Sequence, residues 1–210
     1  MAVAESKAQY RFDTILDRIL IAEEDGQPVG TTTITRLSGY DFGNPMSWNK
    51  ATGDGWCTTH DPNGTVCFGV DLSIKPEYGS KVLDALYAGC GHLVILSGTK
   101  YAIFGGRLPG WKRYLERNPG ADPETYLWGR TPSGRYLDPQ VDMYMKAPGL
   151  RVIALIPDYF ADDDSQNYGV LLRWRNPFYG LPVRRLWAKL FLIGYALWQR
   201  IDLRLKGRNL

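Results

Sequence analysis

The stretch VDLSIKPEYGSKVLDALY, Val70–Tyr87, starts as a strand and ends at helical spacing, with Pro76-Glu77-Tyr78-Gly79 at the corner. A strand that turns sharply into a helix aims the unpaired N–H groups of the first turn at one spot. With the helix dipole these donors form an anion site. Gly79, Ser80, Lys81 and Val82 would build that turn. Glycines in such a loop let the backbone approach a phosphate closely, yet Lys81 and Leu83 stand where further glycines would serve best. Asp71 interrupts an apolar run, either as an acceptor of a substrate's proton, directly or through water, or as the solvent-facing member of an alternating strand.

Other chemistry-bearing residues are few. His60 in THDPNG is a base or a turn residue bonded to its own loop, and His92 sits in a Gly-flanked segment near a helix end, a structural setting. Three cysteines, Cys57, Cys67 and Cys90, make no disulfide framework and match no metal-ligand spacing, so reduced thiols and no metal are expected. The first residues, MAVAESKAQYRFD, lack the apolar core of a signal peptide, and no run is long enough for an ordinary transmembrane helix. These features point to a cytoplasmic setting.

The elements that must position these residues read as one domain of mixed α/β (α+β) class. RILIAEE and VGTTTITRL flank the turn EDGQP as a hairpin. The segment before them has apolar residues at mixed spacing, and residues 38–56 are punctuated by Gly, Asn and Pro, hence loop. TVCFGVDLSI is a strand, GSKVLDALYAGCGHLVIL a helix weakened by Gly89 and Gly91, and KYAIFGG a buried strand. Residues 107–137 form a polar, aromatic insert with short helices at GWKRYLER and PETYLWG. Asp138 caps a helix that has Pro139 at its first position. LRVIALIPDYF and NYGVLLRWRN supply two more strands.

Four strings in this order resemble the GNAT (Gcn5-related N-acetyltransferase) superfamily, in a bacterial branch: THDPNGTVCFGVDLSIKPEY, GGRLPGW, DPQVDMYMKAPGLRV and DDDSQNYGVLLRWRNP. The resemblance covers about residues 8–178 and implies a mostly antiparallel twisted sheet flanked by helices. It implies acetyl-CoA or another acyl-CoA as co-substrate, an amine acceptor that is a small molecule or lipid-like, and direct attack in a ternary complex. The pyrophosphate would lie on Gly79–Val82, with backbone groups of Val70, Leu72 and Ile74 along the pantetheine arm. Tyr144 falls on the family's tyrosine that protonates the leaving thiolate, with Tyr114 a competitor. Asp71 would receive the amine proton, and Arg107 and Glu23 (with Glu24 beside it) would border the acceptor. The cofactor loop departs from the family pattern, because Lys81 and Leu83 replace small residues and the usual Gln or Arg is missing after Tyr78. Either Lys81 supplies a cation in place of close backbone approach, or Leu83 crowds the cradle and the fold serves as a binding module without catalysis.

Residues 179–210 stand apart. From Leu181 onward, seven cations face Asp202 alone, a local charge of +6 in a chain whose net charge is +3. RRLWAKLFLIGYALWQRIDLRLKGR reads as an amphipathic helix with Trp187, Leu190, Phe191, Gly194, Trp198 and Ile201 on one face. That composition suits a helix lying at the inner face of a membrane through residues 184–206, or a packing helix within a domain or homodimer. Interleaved apolar residues argue against nucleic acid.

Overall fold

The computed structural model describes residues 2–208, with side chains described for residues 4–198. Alternating residues near the start form the hairpin of β1 (Ile19–Glu24) and β2 (Gln27–Leu37). Its turn residues Asp25 and Gly26 both have positive φ, 51° and 74°, as a two-residue hairpin turn requires. β3 (Val66–Ile74) lies antiparallel to β2. The chain then returns through the long helix α3 (Gly79–Ser97) to β4 (Tyr101–Arg107), parallel to β3. β5 (Leu150–Ile156) and β6 (Gly169–Arg175) complete the sheet in the order β1-β2-β3-β4-β6-β5, antiparallel apart from β3–β4. This is the mixed α/β class that the element order implies, with the mostly antiparallel sheet that the resemblance implies.

Each face of the sheet carries a core. Leu171 joins Phe68, Ile103 and Ile156 on one side, while its neighbours Val170 and Leu172 join Leu108, Trp111 and Val141 on the other, as the period of two along a strand demands. The insert packs on the second side through α4 (Trp111–Arg117) and α5 (Pro123–Trp128). Asp138 fastens it. This buried carboxylate caps α6 (Pro139–Tyr144) by accepting from the N–H groups of Gln140 and Val141, and also accepts from Gly110 N–H and the Tyr126 hydroxyl. Burial pushes its pKa up against the pull of those donors.

Two helices depart from the sequence reading. The mixed spacing at the start folds as α1 (Ala2–Ile15), and the loop 38–56 contains the short α2 (Trp48–Thr52), capped by Ser47. The C-terminal helix α7 (Arg184–Arg208) has the bounds the sequence gives it, but a different face points inward. Ala188 is fully buried, and the Phe191 ring lies against Trp174, centroids 5.7 Å apart. Leu186, Leu190, Ile193, Leu197 and Trp198 point outward. The side chains of residues 199–210, including Ile201 and the last four cations, lie outside the described residues.

The two glycines inside α3 are contact points. A Cβ on Gly89 would lie 2.9 Å from Leu20 of β1, and one on Gly91 would lie 2.5 Å from the Phe191 ring. The helix gives up propensity at these positions and gains close packing of β1 and α7 against its backbone.

β3 carries one residue more than β2 between the pairs Thr33↔Asp71 and Ile34↔Gly69, a β-bulge at Val70. The extra residue inverts the alternation. Asp71 therefore turns toward α1, where it accepts from Arg11 Nη1 at 2.5 Å and from Thr33 N–H at 3.0 Å. Arg11 also donates to Gly55 O at 2.7 Å, so one guanidinium ties α1 to the bulge and to the loop after α2. Asp71 is neither a free base nor a solvent-facing strand residue. Charge-assisted hydrogen bonds of this kind contribute roughly 1.5–3 kcal/mol. We predict that Arg11→Ala lowers stability by about 2 kcal/mol. A double-mutant cycle with Asp71→Ala should return clear coupling, and additive single effects in urea denaturation would contradict the pairing.

Candidate functional site

Strands β3 and β4 pair only from Val66↔Tyr101 to Gly69↔Phe104. Beyond the bulge, β3 continues to Ile74 without a β4 partner. A mostly apolar cavity of about 320 Å³ opens at this parting, walled by both strands, by Leu83 and Tyr87 of α3, and by Gln140 and Tyr144 of α6. The strand edge facing it holds backbone groups without a ladder partner, the usual setting for binding an extended ligand by main-chain pairing.

Tyr144 sits at the last position of α6, where the Asp138 cap and Pro139 set the helix start. Its ring meets Phe104 edge-on, centroids 5.5 Å apart, and lies over Gly106, where a Cβ would come within 2.5 Å of it. Gln140, one turn earlier, donates from Nε2 to the Tyr144 hydroxyl at 2.5 Å. Burial raises the Tyr144 pKa, with the Gln140 bond opposing, so the phenol keeps its proton at neutral pH. Tyr87 across the cavity is raised too, by burial first and then by Tyr144. Tyr114, the competitor, stacks on Trp111 in the second core instead.

One turn before Leu83 of the cavity wall, α3 begins at Gly79 with φ +50°, without a side-chain cap and without an acidic residue in its first turn. Gly79 and Ser80 are exposed, while Val82 is buried against Gly30 of β2. An uncapped helix start with accessible N–H groups suits an anion. Leu83 lines the cavity wall. Lys81 reaches the hairpin and pairs with Glu24 at 3.0 Å, with 85% of its side chain exposed. It does not point along the cavity, so an exposed pair of this type adds little stability.

The structure separates several residues that the sequence groups together. Val70 and Leu72 line the cavity, whereas Ile74 packs into the hairpin core with Val29, Val82 and Leu86. The Val70 carbonyl accepts from the Trp48 indole at 2.7 Å. Arg107 leaves the cleft and makes a two-point pair with Asp162, at 2.9 and 2.5 Å, which lowers the Asp162 pKa. Its partner belongs to the β5–β6 loop. Glu23 is exposed on β1 and lines neither the cavity nor the shallower pocket beside α1.

Sequence reasoning missed Gln140, although a Gln one helical turn before Tyr144 is a readable i, i+4 pair. It also missed Phe191 and Tyr195 of α7, which wall the cavity's inner end. No local signal links α7 to a cavity built by β3, β4, α3 and α6.

No family model matches the chain. It is 25% identical over 181 residues to the uncharacterized N-acetyltransferase YkwB of Bacillus subtilis (strain 168), covering 84% of this chain and 76% of that protein. It is 26% identical over 160 residues to the probable hydrolase YhcX of the same organism, covering 75% of this chain but only 30% of that protein's length. Two solved structures share the fold at 20% identity. The GphF GNAT-like decarboxylase in complex with isobutyryl-CoA has a TM-score of 0.64 over 81% of this chain and 84% of its own. The loading GNATL domain of CurA from Lyngbya majuscula has a TM-score of 0.67 over 81% of this chain and 82% of its own.

His60 lies away from the cleft, and its ring does not bond within its own loop. Its Nδ1 accepts from Arg36 N–H at 3.1 Å and lies 3.0 Å from the Thr35 hydroxyl, so the loop 60–64 is fastened to the end of β2. Burial first, and Arg18 second, hold its pKa below the ordinary value. The unfolded ring binds a proton near pH 6.5, the folded ring only at lower pH. Stability from this site is therefore complete above about pH 6.5 and falls as pH drops from there through the folded value. The urea midpoint should fall more steeply with acid in the native sequence than in His60→Gln. Parallel profiles would contradict a neutral, hydrogen-bonded His60.

Proposed function

We propose that the chain is a member of the GNAT superfamily, the Gcn5-related N-acetyltransferases, and transfers an acyl group from coenzyme A to an amine. The observation that carries this reading is the grouping of three features: the unpaired edge of β3 beyond its bulge, Tyr144 over the parting of the strands, and the uncapped start of α3 one turn before the cavity residue Leu83. The relative YkwB, named as an N-acetyltransferase, supports it, as does a fold neighbour in complex with an acyl-CoA.

In this reading the N–H groups of Gly79–Val82 receive the pyrophosphate, with the helix dipole behind them. Lys81, turned to Glu24, is not required. The β4-facing backbone of β3 between the bulge and its end holds the pantetheine arm as an added strand. Backbone N–H groups at the bulge face the thioester oxygen as negative charge develops there. The amine forms its C–N bond as the C–S bond breaks. Its proton passes to water, because Asp71 is committed to Arg11 and Thr33. Tyr144 gives its phenolic proton to the leaving thiolate, and Gln140 fixes the hydroxyl during that transfer. Leu83 favours this reading over a closed cradle, since it forms wall and not plug.

Two measurements test the proposal together. CoA or acetyl-CoA should raise the melting temperature, because a ligand of the folded state alone stabilises it. Tyr144→Phe should keep that shift and lose about 10²-fold in kcat for amine-dependent thiol release, with KM for the ester little changed. A missing shift, or full turnover in Tyr144→Phe, would contradict the assignment.

A further inference from the structure

The cavity extends past the point where the thioester would sit, and this extension is lined by an element outside the four family-like strings. The CoA path of the reading above follows the backbone of β3 from Ile74 back to Val70, about 13 Å at ~3.3 Å per residue. α3 runs alongside in the opposite direction, so the same distance at ~1.5 Å per residue spans roughly nine helical residues from Gly79. The reacting carbon therefore lies level with Tyr87, which lines the cavity with Tyr144.

The cavity wall goes on from there. It includes Cys90 and Gly91, the next turn of α3, and Cys67 and Ala102 on the sheet. At that level β3 and β4 are paired again, Cys67 opposite Ala102, so the sheet is closed and gives no way through. Phe191 and Tyr195 of α7, with Trp174 of β6, line the end. Small side chains thus line the sides and aromatic rings close the bottom. No charged side chain lines this inner part, and its two thiols stay protonated because burial raises both, Cys90 to about 12. A two-carbon acetyl group has no use for such a pouch, whereas a longer apolar chain on the same sulfur would continue into it without turning.

We propose that the pouch behind Tyr87 receives the chain of an apolar acyl group several carbons long, and that α7 sets its length through Phe191 and Tyr195. The assignment rests on the CoA reading above. Each methylene buried there is worth about fourfold in affinity. Gly91 enters this account because it alone lets the Phe191 ring seat against α3 at the pouch's end.

Titration calorimetry with CoA, acetyl-CoA, butyryl-CoA and octanoyl-CoA tests it on the full chain. Affinity should climb with chain length in the native sequence. Ala102→Leu, which fills the pouch, should bind CoA normally and lose the climb. Phe191→Ala, which deepens the pouch, should move the preferred chain upward and serves if Ala102→Leu does not fold. Equal affinity for CoA and all its esters, or a climb that survives in Ala102→Leu, would overturn the pouch while leaving the CoA site standing. Silence toward every CoA compound would overturn both.

Discussion

One extra residue in β3 governs this structure. The bulge at Val70 ends the pairing of β3 with β4 and turns the Asp71 carboxylate to Arg11, while Val70, Asp71 and Leu72 line the cleft. A bulge costs ladder hydrogen bonds and holds only where neighbours fix it. Here Arg11 and Thr33 hold Asp71, and the Trp48 indole holds the Val70 carbonyl. The three contacts come from α1, β2 and α2. Their place in the fold follows from that task. They keep two parallel strands apart at one end while Cys67 and Ala102 stay paired at the other.

The same constraint assigns work to the helices around the cleft. α3 starts just after the free end of β3, one turn before Leu83 of the cavity wall. α6 is short and would be marginal alone. Asp138 makes it a fixed platform by bonding its first turn, the insert's Gly110 and the Tyr126 hydroxyl at once. Tyr144 inherits its position from that carboxylate. α7 closes the far side, seated by Gly91 and Ala188. With its inner face spent on the fold, the outward Leu186, Leu190, Ile193 and Leu197 are what remains, among the described residues, for a membrane or partner contact. No helix among the described residues is long and apolar enough to cross a membrane.

Much of the fold is legible in the sequence because its signals are local. The Asp25-Gly26 turn, the Asp138-Pro139 start and the bounds of α7 each follow from a few adjacent residues. The site is legible only in outline. Tyr144 and the Gly79 turn can be found from their flanking strings, but Asp71 cannot be read correctly, since a period of two carried through Val70 predicts the wrong face and the bulge has no sequence mark. α1 is missed because its role depends on one long-range ion pair and not on an apolar stripe. Lys81 is misjudged for the same kind of reason: its partner, Glu24, lies 57 residues away in the chain.

The central claim is that one ligand spans the start of α3 and the free edge of β3. Hydrogen exchange with and without acetyl-CoA tests it most directly. The account predicts added protection at the amides of Gly79–Val82 and of the β3 segment from Val70 to Ile74 together, with little change in β5. Protection at only one of the two segments, or at neither, would contradict it.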